Sequence, residues 1–290
     1  MTSASDWVQG ARPRTLPAAA APVLVGSGAA AQLGAFDLGR AALALGVALA
    51  LQVGVNYAND YSDGIRGTDV DRVGPMRLTA SGTASPRAVK AAAFTSFGVA
   101  AVLGTVLVWL CGEWWLLAVG AVAILAAWGY TGGRRPYGYR GLGEVGVFTF
   151  FGLVAVLGTT YTQAGELSWP AWVGAVAVGM LACALLMANN LRDVPTDALV
   201  GKRTLAVRLG EHRSRRVYAA LVVLPVLLGG VVCAFANPWT LIVLLLLFPS
   251  VALAVTVLLG ARGRALVPVL MFTGFLELAF GVLLGIGLAL

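Results

Sequence analysis

Residues 42–63 read "ALALGVALALQVGVNYANDYSD", an apolar helix-length run that ends in two asparagines and two aspartates. About 20 mostly apolar residues cross a hydrocarbon core, so the run reads as a membrane span that keeps acids on its last turns. Acids are costly there and are functional by default. The stretch therefore poses both questions about the chain: how many such spans it has, and what the acids hold.

Working outward, the apolar character extends over the whole chain. Of 290 residues, 59% are hydrophobic and 11% are charged, where a soluble domain carries about 25% charged residues. Runs such as "LIVLLLLF" (241–248) show no alternation of polarity, which argues against a membrane barrel. The fold class expected is all-α, a polytopic membrane protein of nine transmembrane helices. They lie near 15–33, 38–59, 88–110, 114–133, 142–163, 170–190, 216–236, 238–260 and 267–290. A single transmembrane domain is expected over residues 1–290, with the first apolar run kept as a helix and not removed as a signal.

Lys and Arg gather in cytoplasmic loops. With nine spans and a cytoplasmic N-terminus, every Lys and Arg except Arg40 falls on the inner side; a count altered by one span destroys that separation. The protein is thus expected in the cell membrane with its functional face towards the cytoplasm, because the two long inner loops each follow an Asn/Asp cluster. The three cysteines stand apart and His212 is the single histidine. Thiolate or imidazole metal sites are therefore unsupported, and any metal is expected to take oxygen ligands, which suits magnesium.

The clusters are "NDYSDGIRGTDVDRVGPMRLTASG" (59–82) and "NNLRDVPTDALVGKRTLAVRLG" (189–210). Asn59 and Asp63 are four apart, as are Asn189, Asp193 and Asp197, so each set shares a helical face. Gln52, Asn56 and Asp60 extend the first set as a polar stripe. The offset of 130 residues, four spans, suggests a duplicated four-helix half. Acids at helix C-termini oppose the helix dipole and one another, and a cation removes that conflict. Carboxylates for magnesium beside Arg66, Arg72, Arg77, Lys202 and Arg203 describe a diphosphate site.

These motifs, with "ARPRTLPAAAAPVLVG" (11–26), resemble the UbiA superfamily of intramembrane prenyltransferases over essentially the whole chain. More narrowly, they resemble its branch that prenylates 1,4-dihydroxy-2-naphthoate in menaquinone synthesis. The resemblance implies two four-helix halves plus a ninth helix around a cavity. It implies magnesium held by Asn59, Asp63, Asp69, Asn189, Asp193 and Asp197. Position 67 is glycine, where some relatives carry the last acid of the first motif, and here the acid comes at Asp69.

By the same resemblance, Asp60, Asp63 and Asp193 are the catalytic candidates, and Arg72, Arg77, Lys202 and Arg203 bind diphosphate. The substrates implied are a polyprenyl diphosphate and dihydroxynaphthoate. Acceptor contacts are expected from Asn56, and from Arg134, Arg135, Tyr139 and Arg140 of the loop "YTGGRRPYGYRGLGE" (130–144). The lipid bilayer is the expected surroundings, with no nucleic acid and no obligate protein partner. Three rivals compete: a CDP-alcohol phosphotransferase, whose signature "DYSDG" imitates only in its opening; a cation-coupled transporter; and a superfamily relative with another aromatic or sugar-phosphate acceptor.

Overall fold

The computed structural model describes residues 2–67 and 77–290, and among them all regular structure is helical. Ten helices follow one another: α1 (Ala4–Ala11), α2 (Leu16–Gln32), α3 (Leu38–Arg66), α4 (Pro86–Cys111) and α5 (Leu116–Gly129). After them come α6 (Gly143–Ala164), α7 (Trp169–Leu199), α8 (Leu205–Phe235), α9 (Pro238–Leu258) and α10 (Gly263–Ala289). Seven of these, α3, α4 and α6 to α10, are long and apolar enough to cross a membrane. The expected spans near 15–33 and 114–133 coincide with α2, of 17 residues, and α5, of 14. Both are shorter than the usual crossing length.

The helices that carry the aspartate clusters are longer than their apolar runs. The expected 38–59 continues to Arg66 and 170–190 to Leu199, so Asp63, Asp193 and Asp197 stand on rigid helix and not in loops. Asp37 caps the start of α3 by accepting from the Arg40 amide, and Gly67, at φ 69°, ends it in the left-handed conformation. Ser168 caps α7 with Pro170 in its first turn. The basic run after 204 is likewise helical, belonging to α8 with a break at Gly210.

Packing follows small residues, as expected where no water drives apolar faces together. A Cβ on Gly28 would stand 2.2 Å from the Gly285 carbonyl oxygen, and one on Gly281 2.7 Å from the Ala21 Cα. So α2 and α10 meet backbone to backbone. Gly28→Val should cost about 1–3 kcal/mol of overpacking and lower the thermal midpoint in detergent. Gly120→Ala, into open space in mid-helix, should leave the midpoint unchanged or slightly raised.

Within α6, residues Phe148–Val154 wind as a π-helix, a form frequent at functional sites; Phe150 and Phe151 reach the central cavity from it. Arg40 gathers three helix ends at the opposite face. It donates to the Leu110 carbonyl of α4 and the Thr162 and Gln163 carbonyls of α6, satisfying groups that a helix C-terminus leaves open. Buried Arg215 does the same for α9 through the Val257 carbonyl at 2.6 Å and that of Ala261 at 2.9 Å.

Candidate active site

The C-terminal turns of α3 and α7 border one cavity of about 1230 Å³. Asn59 and Asp63 reach it from α3, and Asn189, Asp193 and Asp197 from α7. The two clusters recognised 130 residues apart therefore meet across a single space. Its walls away from the acids are largely apolar, including Leu185, Leu186, Phe150, Phe151, Val267 and Met271.

Each acid is buried and held by a cation. The Asp63 carboxylate lies 3.5 Å from Arg77 Nη2 and 3.6 Å from Lys202 Nζ, and accepts from the Tyr139 hydroxyl at 2.5 Å. Lys202 also approaches Asp197 at 3.8 Å, so one ammonium group bridges the two motifs. It stands just beyond α7, its amide donating to the Asp197 carbonyl at 2.9 Å, where a positive charge offsets the helix dipole. Arg192 grips Asp193 with two bonds of 2.7 Å and reaches the Asn189 amide oxygen at 2.9 Å. Asn59 accepts from Thr131 Oγ1 at 2.7 Å.

Among the described residues, Arg77, Arg192 and Lys202 stand against Asp63, Asp193 and Asp197. A diphosphate entering with divalent cations would bring positive charge to these carboxylates and negative charge to the guanidinium and ammonium groups beside them. The donor set of carboxylate and amide oxygens suits a hard cation. Among the described residues, no three acidic, histidine or cysteine side chains gather closely enough to hold a metal. A metal here would complete its shell with oxygens of the substrate.

The aromatic wall stands beside the acids. The Tyr139 ring lies under Lys202 Nζ at 4.7 Å and beside the Arg66 guanidinium at 5.4 Å, while Arg66 is tied to the carbonyls of Thr131 and Gly133. Tyr130 and Tyr137 meet edge to face at 5.5 Å on the cavity wall. Burial pushes the Tyr137 phenol up to about 12, so it stays protonated at neutral pH and offers a face and a donor, not a base.

The remaining expected residues divide. Asn56 borders the cavity and spends its amide on the Ala11 carbonyl and Thr15 Oγ1. Asp60 does not border the cavity: fully buried, it accepts from the backbone amides of Leu78 at 2.8 Å and Thr79 at 2.9 Å. Those bonds clamp the chain leading to α4 onto α3. Such charge-assisted bonds are worth about 1.5–3 kcal/mol each, so Asp60→Ala should lower the thermal midpoint sharply. Metal binding by the protein that remains folded should be unchanged.

Arg203 borders a second, smaller cavity of about 410 Å³ together with Arg135, Arg140 and Arg208; Tyr139 is shared by both, and Arg134 borders neither. Asp69 and Arg72 lie outside the described residues. Sequence reasoning took Arg192 only as a topology signal and Tyr139 only as an acceptor contact. The position of Arg192 inside "NNLRD" was the available clue to the first; nothing in the sequence links Tyr139 to Asp63.

An apolar cavity inside a helical membrane protein, closed at one end by paired aspartates and cations, defines a polytopic intramembrane enzyme. The chain belongs to the UbiA prenyltransferase family, whose model matches residues 19–276. It is 54% identical over 282 residues to the 1,4-dihydroxy-2-naphthoate octaprenyltransferase of Mycobacterium tuberculosis, covering 97% of this chain and 96% of that one. To the enzyme of the same name from Escherichia coli it is 42% identical over 233 residues, 78% of this chain and 74% of that one. Its fold is similar to the structure of a UbiA homolog from Archaeoglobus fulgidus bound to GPP and Mg2+. There the TM-score is 0.70 at 15% identity, over 98% of this chain and 99% of that one.

Proposed function

We propose that the protein transfers a polyprenyl group from an allylic polyprenyl diphosphate to 1,4-dihydroxy-2-naphthoate, with loss of the carboxylate. The products are demethylmenaquinone in its quinol form, diphosphate and carbon dioxide. The observation that carries this reading is the pair of aspartate motifs closing one apolar cavity, in a chain similar over 97% of its length to a named naphthoate octaprenyltransferase. The whole chain acts as one transmembrane domain of nine spans, α2 to α10, with the N-terminus and the site at the cytoplasmic face of the cell membrane. The placement of all basic residues but Arg40 supports that orientation.

The mechanism follows from the side chains. Asp63, Asp193 and Asp197, with the amide oxygens of Asn59 and Asn189, would hold magnesium. Bound there, the metal would supply positive charge to the departing diphosphate. Arg77 and Lys202 sit beside the same carboxylates and stabilise the leaving group as its charge grows. The allylic C–O bond breaks with its electron pair going to the diphosphate. The electron-rich ring then attacks the allylic carbon. The proton lost from the attacked ring carbon balances the one taken up where the carboxylate departs.

Tyr130, Tyr137 and Phe151 present aromatic faces along the cavity, which shield a developing carbocation and exclude the water that would quench it. The prenyl tail lies along the apolar wall.

Purified protein in lipid, given a polyprenyl diphosphate, dihydroxynaphthoate and magnesium, should yield a product with the mass of a decarboxylated prenyl-naphthoquinol. Chelation should abolish it. Turnover with a different aromatic or a sugar phosphate, and none with dihydroxynaphthoate, would overturn the acceptor assignment.

A further inference from the structure

Arg14 is a cation that the mechanism above leaves unused. It borders the cavity, and among the described residues no carboxylate or hydrogen-bond partner meets its guanidinium. Arg14 is itself exposed, and its place along the helices is fixed by the residues on either side of it. The neighbouring Ala11 carbonyl and Thr15 hydroxyl bond to Asn56, and Thr15 also to Gln52 at 3.0 Å. Asn56 lies seven residues before Asp63, or about 10 Å further along α3 towards the membrane interior. On the other side, the Arg14 backbone packs beside Gly274 in the middle of α10.

The chain is shaped to put Arg14 there. Arg12, at φ 54° and ψ 69°, is the one non-glycine residue with positive φ among the described residues, and strain of that kind clusters at functional sites. The left-handed turn ends α1 and lets Pro13, Arg14 and Thr15 line the cavity. The helix before it is pinned by the Tyr57 hydroxyl on the Trp7 carbonyl at 2.8 Å and by Gly10 under Leu78 and Tyr57.

A second group points into the same region. Gln52 is 8% exposed and borders the cavity. Its amide nitrogen donates to Thr15 and Asn56, while its oxygen is buried with no partner among the described residues. An unmet buried acceptor awaits a donor from a ligand.

On this evidence, and resting on the proposed function, we infer that Arg14 and Gln52 form the seat of the aromatic acceptor. Arg14 takes the carboxylate, and the Gln52 oxygen accepts from a ring hydroxyl. Among the described residues, no carboxylate at this end is placed to hold a diphosphate's metal, whereas a monoanionic hydroxy acid needs none. Seated so, the ring lies between Arg14 and the aspartates, on the side from which it meets the allylic carbon. Arg14 is a binding and positioning residue, and takes no part in bond breaking at the diphosphate.

The test separates the two substrates. With wild type, Arg14→Gln, Arg14→Lys and Gln52→Met in lipid, KM is measured for dihydroxynaphthoate and for the polyprenyl diphosphate. Binding of 1-hydroxy-2-naphthoate and of 1-naphthol is followed by tryptophan quenching without diphosphate. Arg14→Gln should raise KM for the naphthoate at least about tenfold, leave that for the diphosphate within about twofold, and weaken 1-hydroxy-2-naphthoate but not 1-naphthol. Arg14→Lys should recover most of the loss. Gln52→Met should weaken both probes.

Wild-type turnover of dihydroxynaphthoate with an unchanged naphthoate KM in Arg14→Gln removes the Arg14 seat and leaves the proposed function standing. An equal rise in both KM values makes Arg14 a diphosphate or structural residue. Wild-type turnover only of acceptors without a carboxylate removes both readings.

Discussion

Asp63→Asn should lower kcat/KM for prenyl transfer by about 10³-fold, with a loss of stability because Arg77 is left buried beside a neutral amide. Asparagine keeps the volume and the acceptor oxygen that Tyr139 meets at 2.5 Å, but it removes the charge that Arg77 and Lys202 approach. It also removes a ligand from any metal held between the motifs. Loss of a single group stabilising transition-state charge commonly costs 10²–10³ in rate, and here the local cation balance is lost with it. Steady-state rates across a magnesium titration check this. A fall under tenfold, with unchanged magnesium dependence, would place the metal elsewhere.

Lys202→Met should be nearly as damaging, by a different route. The ammonium group bridges Asp63 and Asp197 from opposite helices; without it the two carboxylates repel across the cavity. We expect kcat to fall about 10²-fold, KM for the polyprenyl diphosphate to rise, and raised magnesium to recover part of the loss, because a divalent cation relieves the same repulsion. If added magnesium recovers nothing, Lys202 touches the diphosphate alone. If the diphosphate KM is unchanged, it bridges the helices without meeting substrate.

Much of this site was legible in the sequence, because the signal was spacing. Asn59 with Asp63, and Asn189 with Asp193 and Asp197, repeat on a helical period, and the structure brings both sets to one cavity. The apolar runs located the helices for a similar reason. What they hid was length: acids and asparagines depress hydropathy, so the apolar runs end near 59 and 190 while α3 and α7 continue to Arg66 and Leu199.

Contacts across the chain were not legible. Tyr139 meets Asp63 over a separation of 76 residues, and no periodicity predicts that. Asp60 lies on the polar stripe, yet its partners are backbone amides of Leu78 and Thr79, which sequence does not distinguish from solvent or metal. Arg203 follows Lys202 directly, but its backbone amide bonds to the Tyr139 carbonyl and it borders the second cavity. Adjacent cations in a turn diverge, so only one of the pair reaches the acids.

The central claim is that the two aspartate motifs make one metal and diphosphate site. Manganese as a spin-active substitute for magnesium, titrated by electron paramagnetic resonance with and without an unreactive thiodiphosphate analogue, tests it most directly. Wild type should bind the metal far more tightly with the analogue present, and Asp63→Asn or Asp193→Asn should each abolish that gain. Retention of the full gain in either variant would mean that one motif holds the metal alone, contradicting the shared site.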